Sequence, residues 1–234
     1  MVAPPSRPEL PRLSRLALFA GVSQEGVEAA REAVRTERFA KHATVFRQGD
    51  KARRAYALDA GSIRIVQPGS DGGQAIVRFI APGEMFGSVP LFTDRSFPAD
   101  AIAAEPSLVL SWSEADLSLL IERHPRIAIN IIRIIGSRLA EVQDRVRELA
   151  TQRAEQRIAH TLLRLATQAG HDVRGDLTID IPLRRKDLAE MSGTTLHTAS
   201  RTVSAWEKAG LLTSHDHRLV LHDPSAIAGI AEGP

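Results

Sequence analysis

Six apolar residues, Ile132, Ile135, Leu139, Val142, Val146 and Leu149, recur at intervals of three, four, three, four and three. In a helix of 3.6 residues per turn this alternation puts all of them on one narrow stripe, the a/d seam of a coiled coil. The pattern opens behind Pro125, and Arg138, Glu141, Asp144, Arg145, Arg147 and Glu148 flank the seam. Such a stripe must be covered by another helix, either from elsewhere in this chain or from a second copy. The charged flanks favour the second copy. Ile127, Ile131 and Ile134 form another stripe on a different face near the helix start, suited to packing on the domain that precedes it.

That domain carries a different period. Leu13 to Val34 has helical spacing (Leu16, Phe19, Val22, Val27, Ala30, Val34), with Ser23 and Gly26 marking two short helices. From Thr36 to Trp112 the chain turns to short β-prone runs at 44–46, 55–58, 62–66, 75–80 and 107–112, separated by turn signals at 48–50, 60–62, 68–73 and 81–84. Closely spaced strands with no helical run between them imply an antiparallel barrel or sandwich. Ser113 and Asp116 then have the spacing of a capping box for a short helix to about Arg123.

Beyond the long helix, residues 151–156 are polar and suit a hinge. Ile158, Leu162, Leu163, Leu165 and Ala166 form a helix ended by Gly170, followed by a loop at 171–176. The remainder, to His222, reads strand, helix, turn, helix, hairpin. Arg185 to Ser204 fits a helix-turn-helix, with small Ala189 where the helices approach and Gly193 at the turn. In the second helix Leu196, Ala199, Val203 and Trp206 should face the core. His197, Ser200, Arg201 and Ser204 then share the outer face, which carries no acid. Such a face can enter a major groove, where His197, Ser200 and Arg201 reach base edges and Arg201 suits the two acceptors of guanine. Arg185, Thr195 and Thr198, around the turn, suit phosphate oxygens. Residues 211–221 supply a β-hairpin wing.

Composition removes rival chemistries. Cysteine is absent, which excludes disulfides, Cys-ligated zinc and iron–sulfur clusters. No Gly-rich phosphate loop, nucleophile elbow or carboxylate–histidine cluster is present, so no catalytic residues and no metal ligands are assigned. A formal charge of +2 with a pI of about 9.4 permits nucleic-acid binding without requiring it. No segment approaches the roughly 18 apolar residues of a membrane span, and Met1 to Arg12 lacks the apolar run of a secretory signal; a cytoplasmic protein with no membrane partner is expected.

Taken together, ValPheArgGlnGlyAsp (45–50), AspAlaGlySerIleArgIle (59–65), AlaProGlyGluMetPheGly (81–87), ArgHisPro (123–125) and residues 198–212 give the chain a resemblance to the CRP/FNR family of transcription regulators, from about Leu13 to Leu221. The resemblance implies an α+β protein: a disordered tail (1–12), an N-terminal antiparallel β-roll sensor of the cyclic-nucleotide-binding type with flanking helices (13–124), a dimerisation helix (125–150), a hinge (151–156) and a C-terminal winged helix-turn-helix (157–230). It also implies a homodimer on a palindromic double-stranded DNA operator, acting as an activator in contact with RNA polymerase. The run GlyThrThrLeuHisThr (193–198) is most similar to the nitrogen-oxide-responsive branch, and His197 stands where many members carry a glutamate that accepts from cytosine.

Members that bind cyclic AMP carry Gly-Glu and Arg-Ser/Thr where this chain has Gly87-Ser88 and Pro98-Ala99. A buried phosphate without its arginine is heavily penalised, so a signal other than cyclic AMP is expected. Arg95 leaves a rearranged nucleotide site open. Ligation of haem by His42 or His124, an apolar effector at the junction with Ile127, Ile131 and Ile134, and a signal-independent or repressing dimer remain alternatives; the cofactor is unknown.

Overall fold

The computed structural model describes residues 13–68, 74–173 and 175–233, with the side chains of Pro68 and Gln74 left aside. The expected tail at 1–12 and most of the turn at 68–73 lie outside the described residues. Contacts divide the chain into two units: residues up to Glu141, apart from Ala75–Arg78, and Val142 onward together with that short stretch. Among the described residues no helix is long and apolar enough to cross a membrane.

In the first unit Leu13 and Ser14 are helical, a short 3-10 segment follows at Ala17–Phe19, and then α1 (Gln24–Ala33). Ser23 starts α1 because its Oγ accepts from the backbone N–H of Gly26 at 3.3 Å, satisfying an otherwise free donor. Among the described residues eight strands follow, β1 (Arg35–Phe39), β2 (Thr44–Phe46), β3 (Arg54–Ala60), β4 (Ile63–Pro68), β5 (Gln74–Ile80, whose middle is the stretch grouped with the second unit), β6 (Met85–Phe86), β7 (Asp100–Ala103) and β8 (Ser107–Ser113). They form two four-stranded sheets, β1-β8-β3-β6 and β2-β7-β4-β5. The registers of β1–β8, β3–β8, β2–β7 and β4–β7 are antiparallel. The expected antiparallel β domain is therefore present.

Its core gathers around Trp112, which is fully buried. The indole N–H donates to the carbonyl of Ala30 at 2.8 Å, which anchors α1, and the ring meets Phe19 edge-on at 5.6 Å. A buried indole avoids the cost of a desolvated N–H when it finds such a partner.

Helix α2 (Glu114–Arg123) begins at Ser113, whose Oγ accepts from the N–H of Asp116 at 3.1 Å. The Asp116 carboxylate returns to the Ser113 hydroxyl and not to its backbone N–H, so the capping box forms in a shortened version. The long helix α3 (Arg126–Thr151) follows. Ile127 and Ile131 are buried in the core of the β domain and Ile134 packs against it, as their spacing predicts. Asn130 fixes the same face: its Nδ2 donates to the carbonyls of Leu18 and Ala20, both at 2.9 Å.

In the second unit, Gln152 and Arg153 separate α3 from α4 (Ala154–Ala169), which buries Ile158, Leu162, Leu165 and Ala166. The loop expected at 171–176 is corrected: β9 (Gly170–Val173) and β10 (Asp176–Ile179) form an antiparallel hairpin there. Its polar sequence conceals strands whose pairing is made by backbone groups. Helices α5 (Arg185–Ser192) and α6 (Leu196–Lys208) come next, then β11 (Leu212–His215), β12 (Arg218–Leu221) and a terminal helix α7 (Pro224–Glu232). The four strands form one sheet in the order β11-β12-β10-β9.

Candidate functional site

Helix α5 ends where the sequence requires. Gly193 adopts φ +60°, ψ 43°, the left-handed conformation that glycine enters at no steric cost. The N–H of Thr194 reaches the carbonyl of Ala189 at 2.9 Å and that of Gly193 reaches Glu190 at 3.3 Å, the pair of bonds of a Schellman motif. A Cβ on Gly193 would also lie 2.5 Å from Cδ2 of Leu149, so the close approach of α3 adds a second reason for glycine.

Thr195 then caps α6, its Oγ1 accepting from the N–H of Thr198 at 3.1 Å and lying 2.9 Å from the Thr198 hydroxyl. Ala199 and Val203 are fully buried and Trp206 nearly so. Leu196 departs from the expectation that it faces the core: it is 51% exposed. As the first residue of α6 it continues the inner stripe one turn beyond the part of the helix that packs, so the period is kept while the cover runs out.

On the opposite face His197, Arg201 and Ser204 are exposed and Ser200 is partly so. Among the described residues Arg201 forms no ion pair, so its guanidinium is available to an external acceptor. Arg185 is different. At the start of α5 it gives Nη2 to Oε1 of Glu207 at 2.8 Å, tying the two helices together. A phosphate at this position would have to share that cation with Glu207. The wing is a two-residue hairpin: Asp216 and His217 have φ of 47° and 63°, the left-handed pair that matches strand twist.

The seam residues are exposed together. Ile132, Leu139, Val142 and Val146 each have more than half of their surface open, and Ile135 and Leu149 are also exposed. Leu149 in addition touches the helix-turn-helix through Gly193. A row of large apolar side chains left in water along one helix face contrasts with the complete burial of Ile127 on another face. Exposed apolar residues on a protein surface are ordinarily single and scattered; six at coiled-coil spacing are not scattered.

In the β domain Gly87 has φ +63°, and a Cβ there would meet Phe46 and Tyr56 at 3.0 Å and Phe97 at 3.2 Å. Phe46 and Phe97 stack at 3.8 Å, and Tyr56 stacks on Phe86 at 5.5 Å. Burial raises the pKa of the Tyr56 phenol, which stays neutral. The rings therefore crowd the backbone at Gly87, and buried Ser88 follows directly. No local pattern in the sequence announced this cluster, because its members come from four separate segments.

Arg95 lies outside it, with a left-handed φ of 59° and its Nη2 paired to Glu114 at 2.8 Å. Pro98 is exposed and Ala99 is buried. His42 occupies a turn after β1 and His124 ends α2. Among the described residues no group of three or more histidine, aspartate or glutamate side chains is disposed to hold a metal.

Residues 36–124 match the cyclic nucleotide-binding domain, and residues 156–230 match the Crp-like helix-turn-helix domain. The chain is 27% identical over 216 residues to the cyclic AMP receptor protein of Thermus thermophilus, covering 92% of this chain and 97% of that one. It is 28% identical over 198 residues to the nitrogen fixation regulation protein FixK of Bradyrhizobium diazoefficiens, covering 82% and 80%. The solved structure of FixK2 from Bradyrhizobium japonicum shares the fold, with a TM-score of 0.76 at 23% identity over 86% of this chain and 98% of that one.

Proposed function

The chain belongs to the CRP/FNR family of DNA-binding transcription regulators, and on that premise we propose that it acts as a homodimer that reads a palindromic operator and answers a signal other than cyclic AMP. The observation that carries the dimer is the exposed row from Ile132 to Leu149. Two copies of α3 laid side by side would bury it, and a two-fold axis between them would present two α6 helices to successive turns of the major groove, about 34–36 Å apart. Arg201, His197 and Ser200 would read bases; Thr195, Thr198 and Arg185 would hold phosphates. Activation through RNA polymerase is the mode that the family resemblance favours.

The signal is argued from Gly87, Ser88, Pro98 and Ala99. Ser88 offers a hydroxyl where a carboxylate would bind two ribose hydroxyls, and Pro98 and Ala99 offer the phosphate neither cation nor hydroxyl. Arg95 is engaged by Glu114. An anion desolvated without a compensating cation costs several kcal/mol or more, and Phe46, Tyr56 and Phe97 already crowd Gly87.

Titration calorimetry with cyclic AMP should therefore give no saturable heat, and the nucleotide should leave operator affinity unchanged. Micromolar binding that also tightens operator binding would overturn this reading in favour of a rearranged nucleotide site. Arg95→Ala would then identify the new phosphate ligand.

A further inference from the structure

We propose that Arg157 is a positioning residue that locks the reading head onto the end of the long helix, and so sets the distance between the two recognition helices. The proposal rests on the dimeric reading above.

The guanidinium of Arg157 donates in three directions to three backbone carbonyls. Nη1 reaches Gln152 at 2.7 Å, Nε reaches Ser192 at 2.9 Å and Nη2 reaches Gly193 at 2.9 Å. Gln152 still belongs to the hydrogen-bonded course of α3, since its N–H reaches the carbonyl of Glu148 at 2.9 Å. Its own carbonyl is one of those that a helix end leaves without an internal donor. Ser192 ends α5, and Gly193 is the turn of the helix-turn-helix. The Schellman bonds use the carbonyls of Ala189 and Glu190, which leaves those of Ser192 and Gly193 to face Arg157. One cation thus closes the negative ends of two helices at once, where a positive charge is favoured.

Two independent contacts act at the same joint. Leu149, in the last turns of α3, touches Gly193 so closely that a Cβ there would lie 2.5 Å from it. Glu155, two residues before Arg157, accepts from the Trp206 indole N–H at 3.2 Å. The first turn of α4 therefore grips the turn before the recognition helix through Arg157 and the body of that helix through Glu155. Arginine is needed for geometry: its planar fork serves three fixed acceptors, whereas a lysine ammonium is a point donor on a flexible stem.

A dimer that is rigid at this joint discriminates sharply between operators of different half-site spacing, because one inserted base pair shifts and rotates one half-site relative to the other. Loosening the joint lets each head follow its own half-site. The test compares affinities of the full-length dimer for a preferred operator and for the same operator with one base pair added at its centre. Arg157→Ala and Arg157→Lys should each reduce the ratio of the two affinities by about five-fold or more, with the dimer mass unchanged by sedimentation.

A head that is merely less stable would weaken both complexes together and leave the ratio alone. An unchanged ratio in both variants would therefore overturn the proposal. Arg157→Lys matching the wild type would overturn the three-carbonyl geometry even if Arg157→Ala failed to fold. Wild-type protein indifferent to spacing would instead overturn the dimeric reading on which the proposal stands.

Discussion

Replacing Ile135 with aspartate is expected to leave a folded chain that sediments as a monomer and no longer retains operator DNA. Ile135 sits in the middle of the seam between Ile132 and Leu139, and its side chain is exposed in the single chain. The substitution therefore removes nothing from the core of the β domain, where Ile127 and Ile131 supply the grip. In a dimer the same position is apolar, and the two-fold axis brings two copies of the change into one seam. Burying a carboxylate there without a partner costs several kcal/mol, enough to raise the dissociation constant of the dimer by about a thousand-fold or more. Truncation to alanine is the milder form, a cavity worth about 2–5 kcal/mol. Operator binding should fall with the dimer, because one head alone makes half of the contacts. Sedimentation of Ile135→Asp as an unchanged dimer would show that the seam lies on a different face.

Arg201→Ala is expected to weaken specific binding by about 1–3 kcal/mol per half-site while leaving binding to random DNA nearly intact. Over two half-sites this is a loss of about thirty-fold or more. The expectation follows from an exposed guanidinium on the acid-free face of α6, opposite buried Ala199 and Val203. Arg185 makes the informative contrast. Its cation is shared with Glu207, and a phosphate contact there carries no sequence information. Arg185→Ala should lower affinity for operator and random DNA alike. Anisotropy titrations on both DNAs separate the two residues; equal losses on operator and random DNA for Arg201→Ala would remove it from base readout.

The parts of this fold that could be read from the sequence are those in which a period reports a face. Ile132 to Leu149 repeats for long enough to mark one exposed face of α3, and Ala199, Val203 and Trp206 mark the buried side of α6. Leu196 shows the limit of that logic: a period predicts direction, and burial also requires something to pack against. Strands β1, β7 and β9 are short and polar or alanine-rich, and β6 has two residues, so their pairing leaves little side-chain signature. Helix α7 is likewise missed, since ProSerAlaIleAlaGlyIleAlaGlu is only nine residues long, is interrupted by a glycine and has too few large apolar residues to display a period. Arg157 was beyond reach for a different reason. Its acceptors on Ser192 and Gly193 are backbone carbonyls 35 and 36 residues away, and a carbonyl is the same whatever side chain it belongs to. The aromatic cluster around Gly87 has the same character, because only folding brings Phe46, Tyr56, Phe86 and Phe97 together.

Selection of bound sequences from a pool of random duplex DNA, using the full-length chain, tests the central claim most directly. A homodimer that reads DNA through His197, Ser200 and Arg201 predicts enrichment of a palindrome whose half-sites are centred about one helical turn apart. It further predicts that Arg201→Ala relaxes the same base position in both half-sites. Recovery of a single unpaired site, or of a palindrome that Arg201→Ala leaves unchanged, would contradict the account.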